Sequence, residues 1–561
     1  MLQTLINSIL FLMIKKIAKI HPTDNVLVAL QNLKAGDEII YESDTIVLLE
    51  NIEAKHKFFT SDLKKGGPII MYGVKVGYIS VDQVFKGQWM NTSNTSHATD
   101  KYSWSPQVNE WQAPRIDAWK NKTFEGYIRS DGQVGTANYW LFIPTVFCEN
   151  RNLDVIKNAL NEALGYGLDN KYKSYASALV DAYKVGKPIN ALQNIDLLSN
   201  NHTKSKVFNN IDGIKYLSHN GGCGGTHEDA AILGKLLASY ANHPNVGGIT
   251  LLSLGCQRLQ IHEFLENCRS LHSKFDKPIL VFEQQKIGSE SLLIEQAIKE
   301  TFESLIELNK QTRQTAPISK LTIGMECGGS DGFSGISANP AVGHAADLLV
   351  ACGGAVILSE FPELCGAEQN LLDRCNDREN AEKFIQLMES YNASAHAVGS
   401  GFHANPSPGN VRDGLITDAI KSMGACKKGG TSVVSDVLDY TEVVKKPGLN
   451  LLCTPGNDVE STTGLAASGA NIILFTTGLG TPTGNPVCPV IKISSNTTLA
   501  EKMKDIIDIN AGQVIDGVKT IEEMGEEILT HCIEVASGRI IPKAVQLQQD
   551  DFIPWKRGVS L

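Results

Sequence analysis

At 561 residues, with 42% hydrophobic and 20% charged side chains, the chain has length for three to four domains of about 150 residues and for sizeable cores. This balance excludes a disordered chain, a collagen-like fibre and a polytopic membrane protein. Lys and Arg number 51 against 61 Asp and Glu, a net charge of −10, which argues against nucleic acid as a partner.

The first apolar run, Leu5–Ile14 (LINSILFLMI), is too short to span a bilayer. Its positive residues, Lys15 and Lys16, follow the run instead of preceding it, and no small-residue cleavage site comes after. Residues 1–12 therefore read as an extension outside the fold, from a start placed upstream of Met13 or as a frayed tail. Neither a membrane anchor nor a membrane partner is expected.

Next come NVLVAL (25–30), TIVLLE (45–50) and PIIMYGVKVGYIS (68–80), short apolar runs punctuated by Gly36, Gly66 and Gly67. They predict a small β domain over residues 1–97. Residues 98–123 are polar and irregular, and read as a linker whose tryptophans Trp104, Trp111 and Trp119 pack on neighbouring elements. From 124 to 315 strand and helix patterns alternate. WLFIPTVF is followed by a helix over Leu153–Leu164, then GIKYLSH, Asp229–Tyr240, GITLLSLG, Glu263–His272, PILVFEQQ and Glu290–Asn309. That spacing predicts an α/β domain with parallel strands. A second α/β domain over 316–561 opens with KLTIGMECGG. It continues through a helix at Ala345–Cys352, GAVILSE, Val434–Leu438, LNLLCTPGND and ANIILFTTG to a helix at Ile521–Ala536.

In an open α/β sheet, ligands gather at the carboxyl ends of strands. Here those ends read HNGGCGG (His219–Gly225), CGGSDGFSG (Cys327–Gly335), PGND (Pro455–Asp458) and GLGTPTGNP (Gly478–Pro486). Glycine lets the backbone approach a ligand, and Ser, Thr, Asn and Asp hydrogen-bond hydroxyls, so the expected ligand is an anionic, hydroxyl-rich small molecule. The 12 cysteines are scattered singly, with no C-x-x-C pair, as in a reduced, cytoplasmic protein. Cys148, Cys223, Cys256 and Cys327 sit at or beside strand ends, and His219 precedes Cys223 by four residues. Convergence of such groups would supply soft metal ligands, while burial as small apolar side chains is the plainer role for each. Motifs for dinucleotide, P-loop, zincin or α/β-hydrolase chemistry do not occur.

Several of these segments resemble the altronate and galactarate dehydratase family: Met325–Ala341, Ser359–Gln369, Asn405–Asn410, Gly448–Asp458, Leu474–Pro482 and the tail Trp555–Leu561. In the β domain, KHKF (Lys55–Phe58) and IIMYGVKVGY resemble the family's SAF-like module. The resemblance implies an α/β fold: a SAF-like β domain followed by two α/β domains with largely parallel sheets. It implies a hydro-lyase acting on a sugar acid, D-altronate to 2-keto-3-deoxy-D-gluconate as first choice, with galactarate or another aldarate or aldonate as the alternative. It also implies Fe²⁺ or Mn²⁺ as cofactor.

On that basis His56 and Lys57 are the expected acid–base pair, since histidine titrates near neutral pH. His219, Cys223, Cys256 and Cys327 are the expected metal ligands, with Glu326 a weaker one. Ser330, Asp331, Asn339, Asn410, Asn457, Asp458 and Thr481 are expected to hold substrate hydroxyls. Relatives often carry arginine where this chain has Ala137 and Leu479, and Arg129 or Arg412 would replace that cation. Two other functions stay open: an iron–sulfur lyase, against which the ungrouped cysteine spacing argues, and a non-catalytic sugar-acid binder. Homo-oligomerisation also stays open.

Overall fold

Apolar runs of four to eight residues between glycine-rich breaks become strands throughout the chain. The computed structural model describes residues 16–106, 110–168, 171–188, 205–273 and 275–558. The expectation for residues 1–12 lies outside them. By its contacts the chain forms two compact units, one of residues 1–136 with 313–556 and the other of residues 137–312 with 557–561.

In the first unit the amino-terminal part is all β. Val26–Ala29 and Lys57–Phe59 pair antiparallel at the centre of a four-stranded sheet. The PIIMYGVKVGYIS run splits into two antiparallel strands, Pro68–Met71 and Val74–Ile79. The chain reverses at Tyr72–Gly73, both with positive φ, the backbone that two-residue hairpins need. Val28, Phe59, Ile69 and Val76 from this module share one buried core with Phe333, Leu415, Ile416 and Ile420. Trp104 and Trp111 of the 98–123 segment are tied down by indole N–H bonds to Cys375 O and Thr431 Oγ1, and Trp119 is buried. Thr123–Ile128, where the first α/β domain was expected to open, pairs antiparallel with Gln314–Pro317 inside this same unit.

The rest of the first unit is built on a seven-stranded parallel sheet. Its strands are β1 (Thr322–Cys327), β2 (Ala355–Leu358), β3 (Val434–Leu438), β4 (Gly448–Leu452), β5 (Ile472–Thr477), β6 (Val490–Ser494) and β7 (Ile509–Asn510), in the order β3-β4-β2-β1-β5-β6-β7. The central strands are buried on both faces, which is why they read as unbroken apolar runs. The chain winds outward from β1 in both directions, so the crevice at the β1 end is a topological switch point. Helix α1 (Ala338–Ala351) starts seven residues earlier than its periodicity predicts. Asn339–Pro340 reads as loop, yet proline is tolerated in a first helical turn, where its missing N–H has no partner to lose. Helices α2 (Asp418–Cys426) and α3 (Asp458–Ala467) follow.

The second unit carries a four-stranded parallel sheet. Tyr139–Pro144 lies between Gly213–Tyr216 and Val246–Ser253, with Ile279–Glu283 at the edge. Trp140 and Phe142 are fully buried in its core, and Phe142 stacks on Tyr216 at 5.0 Å. Both α/β sheets and the SAF-like module are as expected. Among the described residues no helix is long and apolar enough to cross a membrane.

Candidate active site at the end of strand β1

Strand β1 ends in Glu326 and Cys327, fully buried on a strand whose neighbours carry the other acidic groups. After β2 the chain turns through Ser359–Glu360 into the short Phe361–Leu364 helix. Glu360 adopts φ 67°, a left-handed backbone rare for a side chain of this size. Such a conformation costs about 1–3 kcal/mol and persists only where surroundings enforce it. Here its N–H donates to Thr454 Oγ1 (2.9 Å), and its carboxylate accepts from the Cys327 N–H (3.1 Å). Glu363, three residues on, points to the same place. The Cys327 thiol lies 3.1 Å from Glu363 Oε2 and 3.5 Å from Glu360 Oε2.

Two buried lysines face these carboxylates. Lys428 Nζ lies 2.7 Å from Glu360 and Lys421 Nζ 2.6 Å from Glu363. Lys421 also donates to Asn405 Oδ1 (2.6 Å) and Asn410 Oδ1 (3.4 Å). Burial pushes the Glu363 carboxyl up, but Lys421 and Lys428 outweigh it and hold the group below the usual carboxylate range. Glu326 is held well above that range by burial and by the Glu360 charge. The Cys327 thiol is raised by burial and by the Glu360 and Glu363 charges.

Among the described residues Cys327, Glu360 and Glu363 are the one group of three ligand atoms that all lie within 4.8 Å of one another. Glu360 Oε1 and Glu326 Oε1 are buried without a hydrogen-bond partner. An unmet buried acceptor costs about 1–3 kcal/mol, and its lone pairs are what a cation takes up. One sulfur and two carboxylates form a mixed soft and hard donor set that fits a divalent transition metal.

The glycine loop after β1 permits close approach. A methyl on Gly328 would sit 2.1 Å from Asp458 Oδ2, and one on Gly329 3.2 Å from Thr481 Oγ1. Asp458, at the start of α3, is pushed up to about 7 by burial and the Glu360 and Glu363 charges. Asp331 accepts from Ser495 Oγ (2.7 Å) and Asn496 Nδ2 (3.1 Å) and pairs with Lys55 (3.1 Å). Asn410 donates to Ser330 O at 2.7 Å. Ser330, Asp331, Asn410, Asp458 and Thr481 thus gather around the β1 end. Two further expected substrate residues are engaged in the scaffold. Asn339 bridges Gly424 O and Thr476 Oγ1, and Asn457 caps α3 through the Val459 and Glu460 N–H groups.

His56 and Lys57 come from the β module and meet the Arg412–Gly414 loop. Trp89 donates its indole N–H to His56 Nδ1 (3.2 Å), so His56 Nε2 carries the proton and donates to Arg412 O (3.0 Å). Burial and the Lys57 charge lower the histidine's pKa. Lys57 Nζ donates to Gly414 O (2.6 Å) and Lys55 O (3.0 Å), and burial lowers it from 10.5 to about 7. The unfolded lysine titrates near 10.5, so between about pH 7 and 10.5 the unfolded state binds the extra proton and stability rises with pH. Lys57→Met is expected to shrink that rise, measured as urea denaturation at pH 7 and pH 9. An unchanged difference between the two pH values would refute the assignment.

His219, Cys223 and Cys256 lie in the second unit, and Cys327 in the first. His219 is buried, with Nδ1 accepting from Gly221 N–H (3.1 Å) and Nε2 donating to Pro144 O (2.7 Å). Glu360, Glu363 and Lys428 are the site residues that sequence inspection misses. A signal was present: two glutamates spaced by three, directly after an apolar strand run, fall on one side of a helical turn.

Three family models match successive parts of the chain. These are an altronate/galactarate dehydratase SAF domain over residues 15–98, a D-galactarate dehydratase/altronate hydrolase second domain over 126–309, and a D-galactarate/altronate dehydratase C-terminal domain over 318–560. The chain is 34% identical to an altronate dehydratase of Escherichia coli K12, over 97% of this chain and 99% of that one. It is 32% identical to an altronate dehydratase of Bacillus subtilis 168, over 98% and 100%. It is also 32% identical to a galactarate dehydratase (L-threo-forming) of E. coli K12, over 93% and 92%. With the SAF-like module and both parallel sheets matched in order, the chain belongs to the altronate/galactarate dehydratase family.

Proposed function

We propose that this chain is a metal-dependent hydro-lyase that removes water from a sugar acid, with D-altronate as substrate and 2-keto-3-deoxy-D-gluconate as product. The observation that carries this reading is the buried Cys327–Glu360–Glu363 group at the switch point of the seven-stranded sheet. It is supported by relatives named altronate dehydratase that match over nearly their whole length. Cys327, Glu360 and Glu363 would hold Fe²⁺ or Mn²⁺, whose part is to stabilise the negative charge that builds on the substrate carboxylate as the α proton leaves.

The chain's own groups supply the rest. Lys57, near half-deprotonated at neutral pH, takes the α proton, and His56 holds the adjoining Arg412 loop in register through its Nε2–H. Asp458, raised to about 7 and so near half-protonated at neutral pH, gives its proton to the departing 3-hydroxyl. Asn410 and the Ser330–Asp331 turn offer hydrogen bonds to the remaining hydroxyls, and Lys421, its three donors taken by Glu363, Asn405 and Asn410, orients Asn410 and Glu363. Arg412 is exposed beside the same loop and stands for the carboxylate-binding cation that Ala137 and Leu479 do not provide. Twelve free cysteines support a reducing, cytoplasmic setting.

Turnover of a panel of aldonates and aldarates with added Fe²⁺ or Mn²⁺, read as 2-keto-3-deoxy acid, tests the reading. D-altronate is expected to be processed fastest. Preference for galactarate would move the substrate to the alternative, and stabilisation of the protein by a sugar acid with no turnover would replace the enzyme by a binding protein.

A further inference from the structure

Cys148, Cys223 and Cys256 are far apart in sequence, yet each follows one of three adjacent parallel strands of the second unit. Cys148 comes after the central strand Tyr139–Pro144, Cys223 after Gly213–Tyr216 and Cys256 after Val246–Ser253. Backbone bonds lock the three loops together beside the sulfurs. Phe147 N–H donates to Gly221 O (3.0 Å), and Arg258 N–H donates to Gly222 O (2.9 Å). His219 reinforces the first junction by bridging Pro144 O and Gly221 N. The loops touch so closely that a methyl on Gly222 would lie 2.1 Å from Thr145 O. All three thiols are exposed, unlike the buried cysteines of the cores. Gly222, Gly224 and Gly255, which flank two of them, have positive φ and so hold the sulfurs on backbone that other residues rarely adopt. The Cys148 thiol is raised by partial burial and then by the Cys223 and Cys256 thiols, in keeping with that proximity.

We propose that Cys148, Cys223 and Cys256 form a second metal centre, separate from the Cys327 group, which holds an iron–sulfur cluster through three cysteines. A single tetrahedral ion with metal–sulfur bonds of about 2.3 Å needs its sulfurs about 3.8 Å apart. This trio is more open, since among the described residues only Cys327, Glu360 and Glu363 place three ligand atoms mutually within 4.8 Å. A cluster suits the wider triangle because each thiolate binds a different iron. The ring of His219 is already engaged by backbone, so three cysteines are the ligand set at these strand ends. The fourth iron of a cubane would lack a protein ligand and stay open to water or another oxygen donor. Arg258, whose guanidinium reaches the His227 ring, places a cation near a cluster of net negative charge. The wide sequence spacing that argues against a cluster is overcome by sheet order, which sets the three strand ends side by side.

The test is anaerobic reconstitution of the full chain with Fe²⁺ and sulfide. The expected product absorbs broadly near about 400 nm and carries about four irons and four sulfides beyond the iron at the Cys327 group. Cys148→Ser, Cys223→Ser and Cys256→Ser are each expected to lose most of that absorbance while keeping the wild-type circular dichroism. Cys327→Ala is expected to retain it. A colourless product, a single bound zinc or iron without sulfide, or an unchanged spectrum in the triple serine variant would overturn the proposal. The readout is independent of turnover, so failure here leaves the dehydratase reading intact, and failure of that reading leaves the cluster standing.

Discussion

Cys327→Ala is expected to lower turnover of D-altronate by about 10³-fold, equivalent to about 4 kcal/mol of lost transition-state stabilisation. The same substitution is expected to abolish binding of the divalent metal proposed for the β1 end. Cys327 is the one sulfur in the buried group, and its Sγ touches both carboxylates that complete it. Alanine leaves Glu360 and Glu363 as two oxygen donors faced by Lys421 and Lys428, a set closer to an ion-pair network than to a transition-metal site. Glu363→Gln attacks the same group from the opposite side and is expected to give a similar loss, because it also strands Lys421. Elemental analysis and kcat together check the pair, with circular dichroism to confirm folding. Turnover within tenfold of wild type and undiminished metal in Cys327→Ala would move the centre elsewhere.

The second large effect is on stability. Lys428 and Glu360 are each 1% exposed and 2.7 Å apart. Removing one partner of a buried ion pair leaves the other charge unpaired, at a cost of about 3–5 kcal/mol. Lys428→Met is expected to show that loss near neutral pH in urea denaturation. The sign of its pH dependence is fixed by Glu360, whose carboxyl burial already pushes up while Lys428 pulls it down. Without Lys428 the folded value rises further, while the unfolded group stays near the ordinary 4.5. Stability of the variant therefore falls as pH rises from about 4.5 through the raised folded value, and the deficit narrows again in acid. A variant as stable as wild type at pH 7.5, or one whose deficit grows on acidification, would show that Lys428 does not compensate a buried charge.

The order of elements was legible because strands buried on both faces read as continuous apolar runs and helices carry their own period. The glycine-rich loops after strands were legible as well, and the structure brings Cys327, Ser330, Asp331 and Asp458 together at the β1 end, whereas His219, Cys223 and Cys256, expected beside Cys327, lie in the other unit. Chemical type alone was a weaker guide to role. Asn457 and Asn339 have the hydroxyl-binding chemistry expected of them, but one caps α3 and the other bridges α2 to β5. A side-chain amide satisfies a backbone group as readily as it does a ligand, and local sequence does not tell the two apart.

What the sequence by itself determined was the list of parts: an amino-terminal β module, two parallel α/β layers, glycine loops at strand ends and a family likeness running through all three. What only the tertiary structure decided was which parts meet. Glu360, Glu363, Lys421 and Lys428 lie 33 to 101 residues after Cys327, and they converge because β2 lies beside β1, while α2 carries Lys421 and the turn after it carries Lys428 to that edge. The thiols at Cys148, Cys223 and Cys256 are gathered by the order of a different sheet. Hydrophobic period is a local property of the chain, whereas strand order is settled by the packing of whole layers, so local signals such as the Glu360–Glu363 spacing do not say which groups the site brings together.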